Sequence, residues 1–563
     1  MIQEKKRLPV GVENFELIMN DNYYYVDKTG LISELIRNGG MVNLFTRPRR
    51  FGKTLNMSML EHFFSIERDQ SIFNGLEISK DTKLCEEYMG KYPVISISLK
   101  GINAAAYETA FDFAVQIMQR TAEEFQFLSD SEYLSEHDKS VYRELLDSNM
   151  SETVFCGGLK ILSKLLEKHY RLKVILLIDE YDVPLAKAFE NGYYDRMIFL
   201  IRSLLEQALK TNDSLKFAIM TGCMRISKES IFTGLNNLKV LSITDERYDE
   251  YFGFTDAEVK EMLKYYEIED HYEEIKNWYD GYQFGDMEVY CPWDVLNYCD
   301  KVKDHVDSFP ENYWINTSSN DAVRKFIQMS DNFKTKREIE KLLAGGEITK
   351  EIHQELTYPE MYQSLENVWS LLFMTGYLTQ RGRLDAKHYK LAIPNLEIRD
   401  IFQTQIMEYF KERVKKDGDT LSRFCDALKS GEETKVEEIF ESYLKKTISI
   451  RDTFVRKASK ENFYHGILLG ILGVKEEWYV SSNQESGEGY SDILVETENS
   501  ETVILIEVKY ANDGNLDQAC ERALQQIEEK KYDEELQENG VDKILKYGIA
   551  CYMKRCKVKL ADS

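Results

Sequence analysis

An eight-residue string, Arg47, Pro48, Arg49, Arg50, Phe51, Gly52, Lys53 and Thr54, directly follows the apolar run from Met41 to Phe45. Residues 55–65 after it repeat apolar side chains at helical spacing. A buried strand, a turn of this composition and a helix, in that order, point this part of the chain to a phosphate-binding loop on an α/β sheet, the alternative being a basic turn beside an unrelated buried strand. Glycine lets the backbone close on phosphate, Lys53 reaches the β and γ oxygens, and the Thr54 hydroxyl can ligate magnesium. All eight residues are expected at the nucleotide. One position departs from the usual pattern: the glycine that normally stands five residues before Gly52 is Arg47 here.

Such a loop needs an acidic partner, and the run Val174 to Ile178 supplies one, followed by Asp179 and Glu180. Five aliphatic residues suit a strand buried on both faces, and the first acid after them emerges at its carboxyl end. Asp179 is expected in the magnesium shell, and Glu180 is the candidate base that polarises the attacking water. The interval from Lys53 to Asp179, 179 − 53 = 126 residues, leaves room for further strands such as Tyr92 to Leu99. A third run, Lys216 to Gly222, carries Thr221 near its end. Thr221 is a candidate γ-phosphate sensor and Arg225 a second contact for charge on the transferred phosphoryl. The alternative for Thr221 is an ordinary strand-end hydroxyl.

At 563 residues the chain exceeds a single core and predicts about three or four domains. No stretch approaches the roughly 18 apolar residues of a membrane span, and the start lacks the apolar region of a secretory signal. A cytoplasmic protein without a membrane partner is expected. Nine cysteines without a Cys-x-x-Cys pair argue against a disulfide framework or a zinc knuckle. The formal charge of −25 argues against a protein coated along its length with nucleic acid and leaves room for local basic patches. Candidates are Arg47 to Arg50 and residues 445–457, the latter reading more simply as a solvated helix face.

The spacing of apolar runs predicts an α/β domain over 1–245 and a helical lid over 246–330. A helical connecting domain follows over 331–445, and a second α/β unit over 446–563. The lid carries the aromatic strings Trp278 to Phe284 and Tyr290 to Asn297. In the last unit a helix, Phe463 to Leu472, precedes two strand-like runs, Ser486 to Val495 and Thr502 to Tyr510. Glu507 and Lys509 are two apart and project from one strand face, and Asp492 lies 507 − 492 = 15 positions earlier. Two such carboxylates can hold magnesium or manganese, which acidifies a bound water, while the lysine positions that water or stabilises the pentavalent phosphorus. Glu461, Glu485 and Gln526 are supporting candidates. The alternative is a solvated strand end whose ion pair carries little energy.

With both ends read, the whole chain resembles the bacterial AAA-ATPase-like family fused to a PD-(D/E)XK nuclease-like domain. The matching strings are Leu8 to Phe15, Tyr24 to Thr29, Arg47 to Thr54, Leu177 to Leu185, Trp278 to Tyr282, Ser486 to Asp492, and Glu507 with Lys509. The resemblance implies a P-loop sheet of the additional-strand class with a restriction-endonuclease-like core. It also implies ATP and magnesium as cofactors, and nucleic acid, DNA more than RNA, as partner, with oligomerisation left open. The expected function is ATP binding and hydrolysis coupled to a metal-dependent nuclease. The alternative is a nucleotide-controlled switch, or a protein-remodelling ATPase, whose nuclease-like domain only binds a partner. Where relatives usually read Gly-Arg-x-Asp, this chain has Tyr490 in place of the arginine, which affects a phosphate contact and leaves the metal carboxylates untouched. Asp27 and Lys28 match the leading motif, and the resemblance would place them around the adenine or the loop.

Overall fold

The computed structural model describes residues 5–226, 237–314, 321–330, 332–446, 457–482, 492–498, 502–529 and 543–561. They divide into two compact units, Met1–Ser318 with Thr349–Ile398, and Ser319–Ile348 with Arg399–Ser563.

The first unit is built on five parallel strands: β1 (Val42–Thr46), β2 (Val94–Ser98), β3 (Val174–Asp179), β4 (Leu215–Gly222) and β5 (Leu238–Leu241), in the order β2-β3-β4-β1-β5. Every residue of β1 and β3 is buried, and the unbroken apolar run Val174 to Ile178 in β3 is what a strand covered on both faces requires. The strand β4 lies between β1 and β3, the insertion that defines the additional-strand class. Thr46 pairs with Gly222, and Ile178 with Met220, so the carboxyl ends of the three strands are level. Residues 47–54, 179–180 and 221–225 therefore leave the sheet along one edge, where ligands bind in sheets of this kind.

Two small sheets lie in stretches whose patterns predict helices. One comprises β6 (Phe254–Thr255), β7 (Tyr282–Phe284) and β8 (Met287–Tyr290), in the order β6-β8-β7. The helices Asp256–Tyr266, Tyr272–Tyr279 and Pro292–Val302 share a core with it that includes Val259, Leu263, Tyr279, Tyr290 and Tyr298. The other comprises β9 (Ile348–Glu351), β10 (Thr379–Arg383) and β11 (His388–Ala392). Strands of two to five residues are too short for period-two alternation to stand out from helical spacing.

The second unit holds a mixed sheet in chain order: β12 (Tyr479–Ser482), β13 (Asp492–Glu496), β14 (Thr502–Tyr510), β15 (Lys543–Tyr552) and β16 (Arg555–Leu560). Only β14 and β15 run parallel, with the helix Leu516–Glu529 between them in sequence. Phe410, Phe424, Phe440, Ile467, Ile493, Ile506 and Tyr547 belong to one buried core. The stretch 331–445, read from sequence as a single connecting domain, is thus divided: residues 349–398 fold with the first unit, and the helices from Arg399 to Lys446 pack on the second sheet. No helix among the described residues is long and apolar enough to cross a membrane.

Candidate active sites

The loop after β1 turns through two left-handed residues, Arg50 (φ 73°) and Gly52 (φ 76°), before the helix Lys53–Phe64 begins. Space around Gly52 is open, so its backbone conformation, and not crowding, is what glycine serves here. The buried Lys53 ammonium lies 3.0 Å from the Pro48 carbonyl, 3.3 Å from that of Arg47 and 3.6 Å from Glu180 Oε1. Burial pulls this ammonium's pKa down, but Cys223, Glu180, Asp182 and Asp179 more than offset it and leave the pKa raised. Thr54 Oγ1 donates to Asp179 Oδ2 at 2.8 Å, and Thr221 donates to the other oxygen of Asp179. Thr221 Oγ1 also accepts from the Glu180 amide at 3.2 Å. Burial raises the pKa of Asp179.

Glu180 has φ 54°, a conformation unusual for a residue other than glycine. It turns the carboxylate towards Lys53 and into a cleft of about 400 Å³. Arg49, Lys53, Thr54 and Glu180 form the polar side of this cleft, and Val12, Pro292, Trp293 and Leu296 the apolar side. A smaller apolar pocket of about 70 Å³, bounded by Tyr24, Val26 and Tyr251, shares Pro9, Val12, Leu55, Pro292 and Leu296 with it. Together they suit a ligand with an anionic tail and a flat apolar head.

Several residues assigned to the nucleotide from sequence turn elsewhere. Arg47 is fully buried, donates to the carbonyls of Thr46 (2.9 Å) and Leu241 (2.8 Å), and lies over the Phe252 ring. It fastens the end of β1 to the end of β5, so its side chain is structural. Phe51 packs edge-on against Tyr282 with centroids 4.9 Å apart, and lies 5.0 Å from Phe284. Pro48 contributes its carbonyl to Lys53. Thr221 is spent on Asp179 and Glu180, and Arg225 pairs with Glu355 at 2.6 Å, outside the cleft lining. Arg50 lines the cleft, yet its guanidinium donates to the Tyr313 carbonyl at 2.9 Å. Lys28 bonds Glu258 and the Glu250 carbonyl, both at 2.7 Å, while Asp27 accepts from Thr29 and Glu77 amides.

Sequence reasoning placed Tyr181 and Asp182 in the string Leu177 to Leu185 and gave them no role. Asp182 accepts the amides of Cys223 (2.9 Å) and Met224 (3.0 Å), and the Tyr181 hydroxyl donates to the Met224 carbonyl at 2.6 Å. These two side chains hold the segment after β4 in place. Burial pushes the Asp182 carboxyl up to about 6. A third acid, two positions after Glu180, was the available signal.

In the second unit Glu507 is fully buried on β14, and Lys509 Nζ donates to its Oε1 at 2.7 Å. Its Oε2 has no hydrogen-bond partner among the described residues. The register pairs Asp492 with Glu507 across β13 and β14, the proximity expected from sequence. Glu461, on the helix Lys457–Leu472, accepts from the Tyr510 amide at 3.2 Å. One turn on, His465 Nε2 lies 3.0 Å from Ser482 Oγ. Gln526 is half-buried on the helix Leu516–Glu529. Glu485 and Tyr490 lie outside the described residues, as does most of the basic stretch 445–457. No three His, Cys, Asp or Glu side chains among the described residues form a preformed metal cage. An orphaned oxygen on a buried carboxylate, opposite a second acid, nonetheless fits a divalent ion that takes the rest of its shell from water and phosphate.

Sheet order, loop and acid pair define the first unit as an additional-strand P-loop domain, and the second carries the acid and lysine positions of a restriction-endonuclease-like core. Comparison with known proteins assigns both: the chain has an AAA-ATPase-like domain, matching the model of predicted AAA-ATPases over residues 9–232, and a PD-(D/E)XK nuclease superfamily domain over residues 459–560. It is also similar to a protein of Azotobacter chroococcum mcd 1 described as an uncharacterized protein in the vnfD 5′ region. The two are 27% identical over 418 residues, 72% of this chain and 71% of that protein.

Proposed function

We propose that the protein binds and hydrolyses ATP in the cleft beside Lys53 and couples this to metal-dependent cleavage of nucleic acid, DNA in preference to RNA, at Glu507. The reading is carried by one observation: Thr54 and Thr221 bond the two oxygens of Asp179, while Glu180 is turned towards Lys53. Residues in this arrangement can place a cation, a terminal phosphate and an attacking water in line.

In the first site Lys53 and the amides opening the helix Lys53–Phe64 hold the β and γ phosphates, with the base in the apolar pocket beside Leu55. Thr54 and Asp179 are the residues that would hold magnesium, which there neutralises charge on the transferred phosphoryl. Glu180 orients the water and takes its proton as the bond between the γ phosphorus and the bridging oxygen breaks, giving ADP and phosphate. In the second site Asp492 and Glu507 would hold the cation, which supplies a water acidic enough to attack at neutral pH. Lys509, paired with Glu507, sits where it can orient that water and meet charge developing on the phosphorus.

The test is full-length protein with ATP, magnesium or manganese, and a panel of DNA and RNA substrates, beside Lys53→Ala and Glu507→Ala. Lys53→Ala is expected to lose ATP turnover and stimulated cleavage, and Glu507→Ala to lose cleavage while keeping ATP turnover. Wild-type levels of both activities in Lys53→Ala would refute the coupling. Cleavage unchanged by Glu507→Ala would refute the second site.

A further inference from the structure

Beside the phosphate loop lies a buried acidic pair that ATP hydrolysis does not require. Asp294, two residues into the helix Pro292–Val302, is fully buried, and its carboxyl meets the Glu397 carboxyl and the Cys291 thiol. Glu397 is equally buried. Its Oε1 accepts the amides of Tyr313 (2.6 Å) and Trp314 (3.0 Å), and the carboxyl also bonds that of Asp294. Arg50 faces this pair from the loop. Its Nη1 donates to the carbonyl of the same Tyr313 and lies 4.0 Å from Asp294 Oδ1, while its Nη2 is buried without a partner.

The other titratable groups turned to the pair are Cys291 and the phenols of Tyr279, Tyr282 and Tyr313, whose pKa values burial raises, so all stay neutral near pH 7. Arg50 is thus the cation that faces the acids. It also lines the nucleotide cleft, and its left-handed backbone sets it at the point where the loop bends round the phosphates. A guanidinium prefers a bidentate phosphate partner to one long contact with a carboxylate.

We propose that Arg50 senses the terminal phosphate: its guanidinium exchanges between the Asp294 and Glu397 pair and the γ-phosphate, and the pair takes up a proton when the guanidinium leaves. Two apposed buried carboxyls cannot both ionise. Burial already holds Asp294 up at about 6 and Glu397 well above the usual carboxylate range. Removing the nearby cation removes what stabilises the remaining negative charge, and water supplies the proton. ADP, lacking the γ-phosphate, leaves Arg50 on the pair.

The inference rests on ATP occupying the cleft, and a single set of titrations separates the two. Calorimetry of the full chain with a non-hydrolysable ATP analogue and magnesium, in buffers of different ionisation enthalpy at pH 7.5, gives affinity and proton uptake together. ADP with magnesium is the control. Wild type is expected to take up about one proton per analogue bound and much less per ADP. Asp294→Asn is expected to bind the analogue without that uptake, and Glu397→Gln to behave likewise, so that a poorly folding variant does not decide the matter. Binding with equal proton uptake for analogue and ADP, or uptake unchanged in both variants, would overturn the switch and spare the nucleotide site. Absence of analogue binding in wild type would overturn the site and the switch together.

Discussion

Glu180 is held in a left-handed conformation that costs on the order of 1–3 kcal/mol. Its amide donates to Thr221 Oγ1, and the Thr221 hydroxyl in turn donates to Asp179. Glu180→Gln keeps shape and conformation while removing the basic oxygen. It is expected to bind ATP normally and to lose roughly 10²–10⁴-fold in turnover, measured by phosphate release against equilibrium binding. Arg47→Met leaves two strand-end carbonyls without their donor and should destabilise the first unit by about 1–3 kcal/mol, read from denaturant midpoints. The contrast between these residues shows what the sequence could tell. Lys53, Thr54, Asp179 and Glu180 were legible because phosphate chemistry fixes residue type and order along the chain. The direction of Arg47 was not, since its partner Leu241 lies 194 positions away and nothing local announces it.

At the level of elements, Phe51 against Tyr282 and Phe284 joins the phosphate loop to the strand β7 that follows Trp278-Tyr-Asp-Gly. Gly281 in that string has φ 87°, and a Cβ there would stand 2.2 Å from the Pro394 carbonyl. Gly281→Ala should therefore destabilise by well over about 1 kcal/mol and weaken nucleotide binding through the displaced loop, detectable in the same denaturant and binding measurements. Its neighbour Asp280 gives a pH signature. Burial raises its carboxyl to about 7, above the unfolded value, so the folded state binds the extra proton and loses stability as pH rises between about 4 and 7. Asp280→Asn should flatten that part of the stability profile, with its largest gain above pH 7. The central strands, the helix after the phosphate loop and the helix Lys457–Leu472 were readable from apolar runs and flanking polar signals. The small sheets were hidden by brevity, and the split of residues 331–445 by the absence of any compositional break.

For the whole molecule, two units with separate cores predict two calorimetric transitions. Magnesium and a non-hydrolysable ATP analogue at a hundredfold excess over Kd should raise the first unit's transition by an equivalent of about 2.7 kcal/mol and leave the other where it was. The fragment 459–560, the span of the nuclease match alone, would lack Phe424 and Phe440 and should aggregate or bind hydrophobic dyes. The order of segments along the chain carries this further. The first unit closes with residues 349–398, which are inserted between two pieces of the second. No single break in the reading frame can therefore release either unit intact, and recombination that shuffles whole cassettes would have to cut at three places. The two folds are tied together by the order of the chain itself.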